Sequence, residues 1–197
     1  MPFIKTNNTY PGILSLLYYK ASTGKRLSAL AHQLLLGKSP LSSGDREKIA
    51  AYVSALNNCH FCCDSHASAC SAHLGQSITR EHVLTDEFME KQTPKLKALL
   101  AIAGKVQKGG KHVEQDDIDK AKSANASDEE IHDTVLVAAA FCMYNRYVDG
   151  LGTIPLRERE DYKEMGERMA FKGYKYPPFF LRWLVRRILN KKYPDFQ

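Results

Sequence analysis

Ser42-Ser-Gly-Asp45-Arg-Glu47-Lys-Ile-Ala-Ala-Tyr-Val-Ser-Ala-Leu56-Asn57-Asn58-Cys59-His-Phe-Cys62-Cys63-Asp-Ser-His66 reads as helix, break, helix. Ser42, with Asp45 three residues on, resembles a capping box, and helical periodicity then runs to about Leu56. Asn57-Asn58 interrupts it. A second helix carries the cysteines as far as Leu74, where Gly75 supplies a stop.

The pattern continues outward from this pair. A helix from about Ser22 to Leu36 precedes it, closed by Gly37. Beyond it, Thr93-Pro94 reads as an N-cap with proline in the first helical position, followed by a helix over Lys95–Lys108 that ends at Gly109-Gly110. Ser127 with Glu130 forms a second capping box, opening a long apolar helix from Asp128 to Asp149 that Gly150 and Gly152 end. No run alternates apolar and polar residues as a strand does, and no Asn-Gly or Asp-Gly hairpin turn occurs, so the fold class is all-α. An echo at an offset of 83 residues lays Asp128 on Asp45, Cys142 on Cys59, Asn145 on Cys62, Asp149 on His66 and Leu136 on Val53. It suggests two related helical hairpins, one with chemistry and one degenerate.

Composition narrows the function. A chain of 197 residues, 44% hydrophobic and 25% charged, is ordinary for a globular protein with a real core. It contains no apolar run long enough to span a bilayer, and its first residues lack the apolar stretch of a secretory signal; a cytoplasmic protein is expected. The net charge of +6 comes largely from Arg182–Lys192, which holds five basic residues and no acid. Without a binding motif or a stacking platform, that tail is not a sign of nucleic-acid binding. Four of the five cysteines (59, 62, 63 and 70; the fifth is Cys142) crowd into twelve residues, a spacing that suits redox or metal chemistry rather than structural bridges.

On one helix at 100° per residue, Cys59, Cys62 and His66 share a face, and the three-residue spacing suits a disulfide. His66 stands closer along the axis to Cys62 than to Cys59. Both cysteines fall at the start of their helix, where unpaired N–H groups favour a thiolate. Glu47, on the preceding helix, is the candidate to orient His66 and carry a proton relay from cysteine to imidazole to carboxylate. Two alternatives stay open. Cys63, three residues before His66, competes with Cys62 by geometry alone, and Cys59, Cys62, His66 and either Cys70 or His73 could offer four ligands to zinc, although all from one helix. Cys70 and Cys142 read as buried apolar residues, and His73 as a solvated one.

The pattern of Glu47, then Cys59-x-x-Cys62 and His66, resembles the signature of the alkylhydroperoxidase D and carboxymuconolactone decarboxylase superfamily. The stretch from Thr93 to Ala103, with Asp117-Ile118, Ser127–Ile131 and Asn145–Gly152, resembles its branch of uncharacterised peroxidase-related enzymes. The resemblance implies an all-α helical bundle that assembles into homo-oligomers and reduces peroxides with no haem, flavin, metal or other cofactor. It implies that Cys62 attacks the peroxide and becomes a sulfenic acid, that Cys59 resolves it as a disulfide, and that His66 and Glu47 relay protons. The implied partners are a peroxide substrate and a dithiol reductant of the lipoyl or peroxiredoxin type. The residue before the second cysteine is commonly histidine in alkylhydroperoxidase D; here it is Phe61, with His60 one place earlier. The alternatives to a peroxidase are a redox-sensing or interaction protein without turnover, and a non-redox lyase on the same fold.

The chain divides into a helical domain, 1–176, and a basic amphipathic segment, 177–197, set off by Tyr176-Pro-Pro178. That segment predicts a helix over Phe179–Asn190, with Phe180, Leu181, Leu184, Val185, Ile188 and Leu189 on one face. An arm reaching onto another subunit is the expected use, ahead of packing on the same chain; a membrane surface is not expected, although basic amphipathic helices can bind anionic lipid.

Overall fold

The computed structural model of the chain describes residues 2–194 and contains no strand among them. Its α-helices are α1 (Gly12–Tyr19), α2 (Ala21–Leu36), α3 (Ser43–Leu56), α4 (His60–Leu74), α5 (Arg80–Val83), α6 (Asp86–Glu90), α7 (Pro94–Lys108), α8 (Gln115–Ser123), α9 (Asp128–Gly150), α10 (Arg159–Lys172) and α11 (Arg182–Lys192). Single 3-10 turns occupy Gly110–His112 and Phe179–Leu181. The punctuation read from the sequence holds. Ser42 Oγ accepts the Asp45 N–H, Thr93 caps α7 with Pro94 behind it, and Ser127 and Glu130 close a reciprocal capping box. Gly75 ends α4 in the left-handed conformation, with φ of 64°.

Helices α3, α4, α7 and α9 enclose the main core, in which Leu35 of α2, Ile49, Val53, Leu99, Leu100, Ile102, Val137 and Phe141 are all buried. Helix α10 lies along α4 so closely that a Cβ on Gly166 would stand 2.5 Å from the backbone of Ser68. A glycine is therefore required for that approach, which brings Met165, Met169 and the segment after Gly173 against the cysteine helix.

Helices α1, α5, α6, α8 and α10 are not among the expected ones. They are short or, like α8 and α10, strongly polar. Residues 128–150 form one uninterrupted helix, so the second of the two expected hairpins is not there. The turn at Asn57-Asn58 has no counterpart at Ala140-Phe141, and Leu136 is 40% exposed where Val53 is fully buried. The C-terminal helix starts at Arg182 rather than Phe179 and lies on its own chain. Leu189 and Tyr193 are buried, and the Tyr10 hydroxyl donates to Asn190 Oδ1 at 2.8 Å. Residues 195–197 of the C-terminal segment lie outside the described ones. No helix among the described residues is long and apolar enough to cross a membrane.

Candidate active site

The site is made by the break between α3 and α4. Asn58 takes φ of 56°, a left-handed conformation that asparagine tolerates better than most residues, and the Cys59 N–H returns to the Ser54 carbonyl at 3.0 Å. Cys59 thereby becomes the N-cap of α4, outside the helix proper, and Cys62 its third residue. Side chains from three elements stitch the turn in place. The Asn57 amide donates to Asn145 Oδ1 of α9 at 2.8 Å and accepts from Gln107 of α7 at 2.9 Å, while Asn145 donates to Ser54 Oγ at 3.1 Å.

Helix α3 packs along α4 and presents Glu47, fully buried, to His66. The His66 Nδ1–H donates to Glu47 Oε2 at 2.7 Å. The other carboxylate oxygen accepts the hydroxyl of Tyr174, whose ring lies parallel to the imidazole at 6.0 Å between centroids. With Nδ1 committed to Glu47, His66 Nε2 has no hydrogen-bond partner among the described residues and is the basic nitrogen of the site. Burial, and the facing Glu47 carboxylate, push the Tyr174 phenol well above its usual range, so it stays a hydrogen-bond donor.

Cys62 and His66 together line a mostly apolar cavity of about 120 Å³. Phe61, Ser65, Phe141, Met165 and Met169 share its wall, with Ile13, Leu14 and Leu17 from α1, Tyr174 and Tyr176 from the linker after α10, and Val185 from the C-terminal segment. Cys59 does not reach it. Its side chain is buried beside Cys62, and both thiols are free. Helix geometry had left Cys62 and Cys63 in competition; the cavity separates them. Cys63 is fully buried in the main core, where burial and the neighbouring Asp64 push its thiol up to about 12. Cys70 donates to the Gly44 carbonyl at 3.4 Å and is also raised to about 12, chiefly by burial. Cys142 sits in the core.

Two expectations need correction. A thiolate was expected at the start of α4, yet Cys62 is held well above the ordinary thiol value. The neighbouring Cys59 thiol and burial hold its proton, opposed by Asn145. His73 is half-buried rather than solvated, its Nε2 shielded without a partner beside Phe171. The would-be zinc ligands are pulled apart, His66 to Glu47 and Cys70 to Gly44; among the described residues no three His, Cys, Asp or Glu side chains gather to hold a metal.

Sequence reasoning placed Glu47, Cys59, Cys62 and His66 together, and the fold brings them together. It missed Tyr174, which sits in an aperiodic linker that offers no signal. It nearly found Asn145, which the 83-residue echo laid on Cys62 and which touches Cys62 in space.

No family model matches the chain, and no curated protein matches it. Among solved structures, it is similar to an uncharacterized peroxidase-related protein from Silicibacter sp. TM1040, at 25% identity and a TM-score of 0.70, over 78% of each chain. It is also similar to the alkylhydroperoxidase AhpD core of an uncharacterized peroxidase-related protein from Ralstonia eutropha JMP134, at 24% identity and a TM-score of 0.70, over 80% of this chain and 81% of that one. The chain is an all-α protein with a Cys59–Cys62 pair at the start of α4. In fold the chain is similar to these peroxidase-related and alkylhydroperoxidase D-core structures.

Proposed function

We propose that the chain is a CxxC-dependent peroxidase that reduces organic hydroperoxides. The observation that carries the reading is Cys62 lining an apolar cavity together with His66, which Glu47 orients, while Cys59 is buried next to Cys62 outside that lining. A hydroperoxide enters the cavity, and His66 Nε2 takes the Cys62 proton. The sulfur attacks the terminal peroxide oxygen, the O–O bond breaks, and the alkoxide leaves with the proton returned by His66 as an alcohol. Cys62 is then a sulfenic acid. Cys59 attacks its sulfur, water departs, and the Cys59–Cys62 disulfide forms. A dithiol such as dihydrolipoamide, or a peroxiredoxin-type partner, returns two electrons and two protons.

The raised pKa of Cys62 gives Glu47, His66 and Tyr174 their task. The resting thiol keeps its proton, so attack requires a base within the site. The apolar lining supports an alkyl or aryl hydroperoxide over hydrogen peroxide, since a cavity of this size suits a group about as large as benzene. Phe61, where alkylhydroperoxidase D commonly carries a relay histidine, adds to that lining, and exposed His60 points to the opposite side of α4.

The test is steady-state turnover of cumene and tert-butyl hydroperoxides against hydrogen peroxide, with dithiothreitol or dihydrolipoamide as reductant. Multiple turnovers, faster with the organic substrates, are expected. Oxidation that stops after one equivalent would identify a redox sensor instead, and no oxidation of Cys62 at all would leave a non-redox lyase as the surviving reading.

A further inference from the structure

The C-terminal segment carries an unusual surface. One side of α11 is used by the chain itself, through Val185, Leu189 and Tyr193. Next to it an apolar surface stays open: Phe179 is 82% and Phe180 70% exposed in the preceding 3-10 turn, and Trp183 is 65% and Ile188 56% exposed on α11, with Leu184 beside them. On a helix, Leu184 and Ile188 form one row, and Arg187 and Lys191 lie next to it at 100° per residue. From 171 to 192 the chain has Lys172, Lys175, Arg182, Arg186, Arg187, Lys191 and Lys192 and no acidic residue. Lys192 pairs with Glu164, and Arg182 stacks on Tyr176 and Phe179. Lys175, Arg187 and Lys191 have no ion-pair partner among the described residues.

Charge decides what covers this face. A second copy meeting it through a two-fold axis would set one cation cluster against another, and Glu164, the acid beside it, is already paired with Lys192. An anionic lipid surface supplies the opposite sign in excess. Exposed Trp and Phe among Lys and Arg is also the composition that seats a helix at the level of the headgroups. We propose that the segment Phe179–Lys191 docks the protein on an anionic phospholipid bilayer, with Phe179, Phe180, Trp183 and Ile188 entering the interface and Arg187 and Lys191 meeting the headgroups. The same segment walls the cavity through Val185 and Leu189, and Tyr176 and Pro177 just before it add to the wall. On the peroxidase reading above, docking therefore brings the cavity to hydroperoxides that form in the acyl phase.

Trp183 is the chain's single tryptophan, so its fluorescence reports on this face alone. Full-length protein is titrated with unilamellar vesicles of phosphatidylcholine alone and of phosphatidylcholine mixed with phosphatidylglycerol, and the mixtures are then pelleted. The expected result is a blue shift and co-sedimentation with the anionic vesicles, reversed by salt. The double variants Arg187→Glu/Lys191→Glu and Phe180→Ser/Ile188→Ser should each weaken binding by roughly tenfold or more. All these positions are exposed, so the melting temperature and the turnover of a water-soluble hydroperoxide should hold. Protein that stays in the supernatant, or that pellets equally with neutral vesicles, overturns the proposal. So does light scattering that shows an oligomer which Phe180→Ser/Ile188→Ser dissociates, since a second copy then holds the face. Cys62→Ser protein should bind vesicles as the parent does, so docking is judged separately from catalysis.

Discussion

Residues 43–74 and 128–150 begin alike and end differently. Both open on a serine cap with acidic residues in the first turn, and both run through alanine-rich apolar sequence into a cysteine. In α9 the helix continues past Ala140 and Phe141, and Cys142 becomes a core side chain. In the other region Asn57-Asn58 stops α3, the chain turns, and Cys59 and Cys62 are set at the start of a new helix under the bonded pair of Glu47 and His66. The same helical grammar yields a structural rod in one place and the candidate site in the other, and the difference is a two-residue interruption. Helix α9 is not idle, since its Asn145 holds the interruption in place.

The largest expected effect tests the division of labour within the broken helix. Cys62→Ser should abolish turnover. Cys59→Ser should still consume one equivalent of hydroperoxide and stop at a sulfenic acid, trapped by dimedone and seen by mass spectrometry. A Cys59 variant that keeps cycling with dithiothreitol alone would show that resolution does not need it. Cys142→Ser, in the unbroken helix, should leave turnover intact. Next in size, Glu47→Gln should slow turnover by about 10²–10⁴-fold, the range for general acid–base groups. Tyr174→Phe should do less, on the order of tenfold, because it removes one of two bonds that hold Glu47. Since the Cys62 thiol is raised, its thiolate fraction still grows above neutrality, so parent turnover should rise with pH from 7 to beyond 9. A flat profile there would mean that the thiol is already ionised.

Much of this contrast was legible beforehand, because caps, glycine stops and the Glu–CxxC–His spacing are local signals. The ends of α3, α4, α7 and α9 follow from side chains within a few residues of each boundary. What was illegible depends on tertiary packing. Tyr174 reaches Glu47 across 127 residues of sequence, and nothing near it marks that role. The protonation of Cys62 was misjudged for the same reason: the helix start is a local property, while burial is set by α1, α10 and the C-terminal segment closing over it. The internal echo failed as architecture because capping boxes and alanine-rich helices recur wherever helices do, yet it marked Asn145, whose polarity inside an apolar helix is a tertiary requirement.

Alkali should separate the two regions by stability. Burial raises Cys63 and Cys70, both on α4, to about 12, above the unfolded value near 9. Between those values the folded chain holds protons that the unfolded chain has lost, so the stability these thiols contribute is intact below pH 9 and falls as pH rises toward 12. The slope is up to about 1.4 kcal/mol per pH unit for each thiol. Cys70→Ala should flatten it in urea titrations at pH 9 to 11, apart from a constant cavity cost. An unchanged slope would mean that Cys70 ionises as freely in the fold as in solution. For the same reason, Cys63 and Cys70 should resist iodoacetamide at pH 8 until urea is added.

The smallest effect bears most directly on the interruption. Asn58 stands at φ of 56°, where an alanine Cβ crowds its own backbone and an asparagine is relieved by its short polar side chain. Asn58→Ala should therefore cost about 1 kcal/mol, which for a chain of this size lowers the melting temperature by about 2–4 °C. Asn58→Gly should lie within a few tenths of a kcal/mol of the parent, since glycine adopts this conformation without strain but gives up more entropy on folding. If the break is set by this residue, the alanine variant should also slow disulfide formation between Cys59 and Cys62, measured by quenched alkylation, because Cys59 takes its N-cap position from the turn. If Asn58→Ala matches Asn58→Gly in both stability and disulfide rate, the break is imposed by the bonds that Asn57 makes to Gln107 and Asn145. The contrast with α9 would then rest on tertiary stitching rather than on local conformation.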